Sequence, residues 1–156
     1  MDYSKIQIPK SSCDREWRNF IACLSEDPWI KSVIEKCAQN MNCRVVHGQY
    51  IDLYAMRGFV DILDRSTLDI KEWNDYVAFS DEVYDDVPCI IIDDIQDLIL
   101  PRTKTILRFD LHKPDSIAGI IRSIKYIKKQ ADKNWRCPKQ IEADKSLMMR
   151  LRRLAL

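Results

Sequence analysis

The spacing of apolar residues along the 156-residue chain alternates between two patterns, and each pattern predicts a different secondary structure. Short apolar runs rich in β-branched residues predict strands, whereas apolar residues three or four apart predict helices. The predicted strands cover residues 4–8, 43–47, 87–93 and 104–111. The predicted helices cover residues 12–27, 28–41, 51–59, 67–83, 114–133 and 139–155.

The clearest strand is the continuous apolar run VPCIIID at 87–93, which is typical of a parallel strand covered on both faces. The clearest helix begins at Pro114 and carries isoleucines on one face and lysines on the other. The secondary structure of the run FVDILD at 59–64 stays undecided, because periodicity does not separate a buried strand from the end of the preceding helix.

Strands that alternate with helices predict an α/β fold with a doubly wound, mostly parallel sheet of four or five strands in three layers. Apolar residues make up 46% of the chain, which is enough for one core. We expect a single domain at residues 1–133. Residues 134–156 are expected to form a linker and a basic amphipathic C-terminal helix.

Composition excludes several function classes. The chain has only three glycines and contains neither GxGxxG nor GxxxxGK[ST], so a dinucleotide site and a P-loop are not expected. It has neither an apolar run of about 20 residues nor a secretory leader, so we expect a cytoplasmic protein without membrane contact. The six cysteines are then expected to be reduced thiols.

Acidic residues follow two neighbouring predicted strands, where ligands bind in open α/β sheets. Asp93, Asp94 and Asp97 follow the first strand, and Asp110 and His112 end the next. Carboxylates at this edge can hold Mg²⁺ and, through it, a phosphate. One hypothesis is therefore a metal-dependent enzyme that acts on a phosphate or nucleotide substrate, with His112 as base. The alternative is a solvated acidic loop.

Residues 60–124 resemble the second half of a response-regulator receiver domain, which has a flavodoxin-like fold. The resemblance rests on the strand VDILD, the later strand that begins VP, and the pair Lys113-Pro114 before the last helix. It implies that Asp64 takes the place of the phosphoacceptor. It also implies that Lys113 would stabilise the charge of the acyl phosphate.

This sequence departs from the receiver pattern at two places, so the resemblance is to a degenerate receiver. The paired acids that follow the first strand in that family have no match in KIQIPKSSC, and Asp93-Asp94 replace the Ser or Thr after the fourth strand. The order of Trp73, VPCIIIDD and LP also resembles TIR-like domains. Tyr76 stands where their catalytic Glu is expected, which argues against NAD hydrolysis.

The net charge is only +1, but its distribution is uneven. Eight acids and no Lys or Arg lie between Asp75 and Asp97, whereas residues 121–156 hold eleven basic residues and three acids. The predicted C-terminal helix combines an apolar face with a basic face; its members are Leu147, Met148 and Leu151, and Arg150, Arg152 and Arg153.

Three interpretations of this basic end stay open. The helix can contact a protein partner or a second copy. The basic face, together with Lys125, Lys128 and Lys129, can bind phosphates of nucleic acid. It can also fold back onto its own domain as an ordinary surface helix. We favour a regulatory or protein-interaction module, with the metal-dependent enzyme and the nucleic-acid-binding protein as alternatives.

Overall fold

The computed structural model describes residues 17–48, 58–82, 87–92, 99–102 and 104–134. These residues form a parallel sheet with helices on both faces. The strands are β1 (Phe20–Leu24), β2 (Arg44–His47), β3 (Val60–Asp64), β4 (Cys89–Ile92) and β5 (Ile106–Phe109). The helices are α1 (Pro28–Asn40), α2 (Ile70–Glu82) and α3 (Ser116–Asn134).

The five strands lie in the order β2-β1-β3-β4-β5, and each neighbouring pair is parallel. This is the flavodoxin-like order, so the predicted three-layer α/β fold is confirmed. The direction in which strands are added reverses between β1 and β3. Ligands of such sheets bind at this reversal, beyond the carboxyl ends of the strands.

The sheet separates two apolar clusters. One cluster packs β-sheet residues such as Ile62 and Ile90 against α1 and α3. The other packs Leu63 and Ile91 against α2, where Trp73 is fully buried. Since side chains alternate between the two faces of a strand, adjacent residues of β3 and β4 serve different clusters. This explains why both strands appear in the sequence as continuous apolar runs.

Local signals fix where the helices begin. The side chain of Asp27 accepts hydrogen bonds from the first-turn amides of α1, and Pro28 occupies the first helical position. At the start of α2, Asp69 and Glu72 each accept a hydrogen bond from the backbone amide of the other. This reciprocal pair is a capping box.

The helix predicted at 12–27 is wrong over its described part. Residues Trp17–Asn19 form a 3₁₀ turn, and Phe20–Leu24 form the strand β1 beside the centre of the sheet. Residues 21–24 are buried, and a short apolar run of this kind has no period that distinguishes a strand from a helix. Residues 1–16, including the strand predicted at 4–8, lie outside the described residues.

The open assignment at 59–64 resolves as a strand, since all five residues of β3 are buried and pair with β1 and β4. The helix predicted at 51–59 lies mostly outside the described residues. Its last two positions, Gly58 and Phe59, are not helical. A Cβ at Gly58 would lie 2.6 Å from the Phe20 carbonyl oxygen, so this close approach of two backbones requires glycine.

The remaining strands and helices agree with the predictions to within a few residues. The helix predicted at 67–83 begins only at Ile70, because residues Arg65–Thr67 form a 3₁₀ turn. The linker and amphipathic helix predicted within 134–156 lie outside the described residues, apart from the last residue of α3.

Candidate functional site

The carboxyl ends of β1 and β3, at the reversal of strand order, are tied together by side chains. The hydroxyl of Ser25, directly after β1, donates to Asp64 Oδ2 at 2.7 Å. The backbone amide of Glu26 donates to Thr67 Oγ1 at 3.2 Å. The crevice in which ligands bind in this fold class is therefore bridged by the chain's own groups.

Asp64 does end β3, as the receiver resemblance implies, but the residue is only 1% exposed. Oδ2 accepts from Ser25, and Oδ1 accepts from the Ser66 amide at 3.1 Å and the Ser66 hydroxyl at 2.7 Å. Both oxygens are thus occupied. A phosphoryl group on Asp64 would require at least one of these hydroxyls to leave the carboxylate.

Two acids, Glu26 and Asp27, follow Ser25 after the end of β1. The segment KIQIPKSSC lies outside the described residues, so the expected lack of an acid pair after it stays a prediction. Glu26 is exposed. The Asp27 carboxylate accepts from Trp29 N at 2.8 Å and Ile30 N at 3.4 Å, so it is engaged in capping α1.

Three other predicted site residues lie in the exposed turn after β5. The Asp110 carboxylate accepts from the His112 amide at 2.9 Å, and the Asp110 carbonyl accepts from the Lys113 amide at 3.1 Å. These bonds shape the turn before α3. Lys113 and Asp64 both belong to the described part of the chain, and no ion pair joins them. The contact that the resemblance implies is therefore not formed.

The predicted magnesium ligands are not brought together among the described residues. Asp93, Asp94 and Asp97 lie outside them, and Asp110 is exposed in its turn. Within the described ranges no group of three His, Cys, Asp or Glu side chains is arranged to hold a metal ion. Because three of its four proposed ligands lie outside the described residues, the metal site stays a prediction.

A buried ionic network lies at the opposite, amino edge of the sheet. Lys104 Nζ donates to Asp61 Oδ2 at 3.1 Å, and the Tyr76 hydroxyl donates to the same oxygen at 3.2 Å. The Lys104 ammonium also lies 5.4 Å from the centre of the Tyr76 ring. Sequence reasoning missed this network. Its signal was an aspartate inside a buried strand, which requires a buried partner.

Two large apolar side chains near the start of α2 are exposed. Ile70 is 56% exposed and Ile99 is 65% exposed. Below them, the fully buried Trp73 donates its indole N–H to the Ile99 carbonyl at 2.8 Å, which anchors this loop to α2. We call Ile70 and Ile99, with the capping acids Asp69 and Glu72 beside them, the α2 patch.

The four described cysteines are free thiols, as expected: Cys23, Cys37, Cys43 and Cys89. Burial raises the pKa of Cys23 from 9.0 to about 12, and nearby Lys31 lowers it only in part. Burial also raises the pKa values of Cys37 and Cys43. A buried thiol that resists ionisation is a poor nucleophile. These residues therefore act as apolar side chains packed in the core.

The interaction residues predicted in the C-terminal helix, from Leu147 to Arg153, lie outside the described residues. Among the helices of the described residues, none is long and apolar enough to cross a membrane.

Comparison with known proteins gives no family assignment. No protein-family model and no curated protein matches the chain. Among solved structures, the chain is similar to the lysine decarboxylase LdcF of Francisella novicida, with 11% sequence identity and a TM-score of 0.43. The similarity covers 72% of this chain and 18% of the decarboxylase chain, and at this level no activity passes from that enzyme to this protein.

Proposed function

We propose that the chain is a protein-interaction module with a receiver-like core, and that it associates with a second copy of itself. In this proposal the α2 patch of one copy binds the basic amphipathic segment at 141–154 of the other. The observation that carries the proposal is the exposure of Ile70 and Ile99, whose backbones are linked through the Trp73 hydrogen bond to the Ile99 carbonyl.

The bridged crevice supports a function outside the sheet's usual ligand site. Ser25 and Ser66 occupy the carboxylate of Asp64, and Asp27 is engaged at the first turn of α1. A small ligand would have to break these bonds before it entered. A partner that binds an exposed surface breaks none of these hydrogen bonds.

Rigidity makes the α2 patch a suitable docking surface. Because Trp73 holds the Ile99 carbonyl, and Asp69 and Glu72 cap the start of α2, binding would order little additional backbone. Preorganised surfaces bind more tightly because less conformational entropy is lost.

Charge complementarity identifies the occupant. The stretch from Asp69 to Glu82 carries five acids and the single base Lys71. The segment at 141–154 has the opposite character. Its apolar members Leu147, Met148 and Leu151 would contact the isoleucines, and its three arginines would face the acids. An amphipathic helix in an apolar site with acidic borders is a recurring mode of recognition.

The geometry of α3 favours a second copy over the same chain. α3 packs on the face of the sheet opposite to α2, and its C-terminal half approaches the amino edge, where Lys128 Nζ donates to the Arg18 carbonyl at 2.7 Å. The α2 patch lies at the carboxyl edge. The seven residue steps from Asn134 to Ile141 span at most about 25 Å, and within one chain they would have to lead from the amino edge on one face of the sheet to the carboxyl edge on the other.

The test is the molar mass of the full chain in solution, measured by light scattering over a range of concentrations. We expect two copies per particle at high concentration and one after Ile70→Ser with Ile99→Ser. Trp29→Ser is the matched control, because Trp29 is 54% exposed on α1 and lies outside the α2 patch. This variant should keep the mass of two copies.

Truncation after Lys139 removes the proposed ligand and should also give single copies. The proposal is wrong if the full chain is monomeric at every concentration. It is also wrong if Ile70→Ser with Ile99→Ser leaves the dimer intact. A monomer in which the truncation raises the solvent exposure of Ile70 would instead indicate docking within one chain, which contradicts the second-copy proposal.

A further inference from the structure

The outer face of α3 is a row of cations with one tyrosine near its middle. The row consists of Arg122, Lys125, Tyr126, Lys129 and Lys133, all of them exposed. Spacings of three and four residues place them on one side of the helix, opposite to its buried isoleucines. Eleven residue steps make the row about 16 Å long. We call it the α3 row.

The cations of the α3 row form no ion pair with another described residue. The one acid of α3, Asp132, lies elsewhere: its carboxylate is 2.6 Å from Lys128 Nζ and 3.9 Å from Arg18 Nε. Lys128 also donates to the Arg18 carbonyl and is therefore not part of the row. Within the described residues, no carboxylate forms an ion pair with a cation of the row. Its positive charge is available to an anionic partner.

The tyrosine distinguishes between two classes of partner. Tyr126 is 65% exposed, and the described residues of α3 expose no other large apolar side chain. A protein partner is normally held by a cluster of apolar and aromatic anchors with a polar rim. A line of cations interrupted by one aromatic ring matches a nucleic-acid strand instead, because phosphates bind the cations and a base stacks on the ring.

We propose that the α3 row binds single-stranded nucleic acid. Arg122, Lys125, Lys129 and Lys133 contact successive phosphates, and one base stacks on Tyr126. A single strand is the substrate class because its bases are free to stack, whereas those of a duplex are paired and stacked on each other. This site is independent of the α2 patch, which lies on the other face of the sheet.

Fluorescence anisotropy of the full chain with a labelled thymidine oligonucleotide tests the proposal. Four phosphate contacts predict that the logarithm of the association constant falls against the logarithm of salt with a slope of about −3. Lys125→Gln with Lys129→Gln should reduce that slope by about half. The matched control, Lys36→Gln with Lys71→Gln, removes the same charge from exposed positions on α1 and α2 and should leave the slope unchanged.

Replacement of Tyr126 tests the stacking. Tyr126→Ala should weaken binding at least about fivefold, and Tyr126→Phe should retain it, because the ring and not the hydroxyl makes the contact. The proposal is overturned if no binding occurs at about 50 mM salt, or if the control pair loses as much as the α3 pair. If polyglutamate at equal charge releases the oligonucleotide, the natural partner of the α3 row is an acidic protein, and this result would also contradict the proposal. Equal affinity for a duplex would also contradict it.

Discussion

Asp61 and Asp64 lie three residues apart on β3, are equally buried, and are stabilised in different ways. Asp61, at the amino edge, receives a hydrogen bond from the ammonium of Lys104 and another from the hydroxyl of Tyr76. Asp64, at the carboxyl edge, receives hydrogen bonds only from hydroxyls and an amide, those of Ser25 and Ser66.

This difference indicates which of the two aspartates, and which edge of the sheet, tolerates substitution better. A buried ion pair is tightly coupled, since loss of one partner leaves the other as a buried charge without compensation. The bonds of Asp64 come from neutral donors, and two of the three come from hydroxyls that can rotate. The amino edge should therefore tolerate substitution least. The carboxyl edge is bridged by exchangeable bonds in the place where related folds bind ligands.

The largest effect is expected at the amino edge. Lys104→Met should lower the free energy of unfolding by about 3–5 kcal/mol, because the buried Asp61 then loses the hydrogen bond and the charge of the Lys104 ammonium. Urea unfolding monitored by tryptophan fluorescence measures this loss. Adding Asp61→Leu should recover most of it, since both charges are then gone. A double variant as unstable as the sum of the two single variants would show that the pair is not coupled.

Asp64→Asn should cost about 1–3 kcal/mol, because the amide keeps the shape of the carboxylate but loses its charge and one acceptor. The same urea titration measures it. A loss larger than that of Lys104→Met would reverse the ranking of the two edges.

Removal of the bridging hydroxyl is expected to have a smaller effect. Ser25→Ala should cost about 1 kcal/mol, because Asp64 loses one of its bonds and the Asp27 amide loses its contact with the Ser25 hydroxyl at 3.1 Å. Ser32→Ala, at an exposed position of α1, is the matched control and should stay within about 0.5 kcal/mol of the wild type. Equal values for both variants would mean that the bridge contributes no stability.

A last effect is absent at neutral pH and appears only at alkaline pH. Because the folded pKa of Cys23 is raised from 9.0 to about 12, the fold favours the neutral thiol, and this contribution is complete below pH 9. It is lost as the pH rises from 9 towards 12. Urea titrations along this range should show a decline in stability that is shallower in Cys23→Ala. An identical decline in both proteins would assign it to other groups.

Sequence reasoning predicted the layers of the fold and much less of the site. Long periodic segments such as α3, and the bounded apolar run of β4, were located correctly because burial imposes their pattern. The strand β1 was taken for a helix because five apolar residues carry no distinct period. The sequence pattern therefore gave no indication that Glu26 and Asp27 lie close to a strand end.

Long-range partners explain the remaining differences. Asp64 was located correctly at a strand end, but Ser25, which occupies its carboxylate, is 39 residues away in the chain. Lys104 is 43 residues from Asp61. No local pattern links such pairs. Only the strand order, which sets β1 and β4 on either side of β3, brings these regions together.

The central claim is that Asp64 bridges the carboxyl edge and that function belongs to the exposed surfaces. Thermal unfolding with Mg²⁺ and beryllofluoride, an analogue of a phosphoryl group on a carboxylate, tests it most directly in wild type and Asp64→Asn. A ligand that binds only the folded protein raises its melting temperature. We predict no rise in either protein. A rise in the wild type that Asp64→Asn abolishes would contradict the claim and make the carboxyl edge a phosphoryl site.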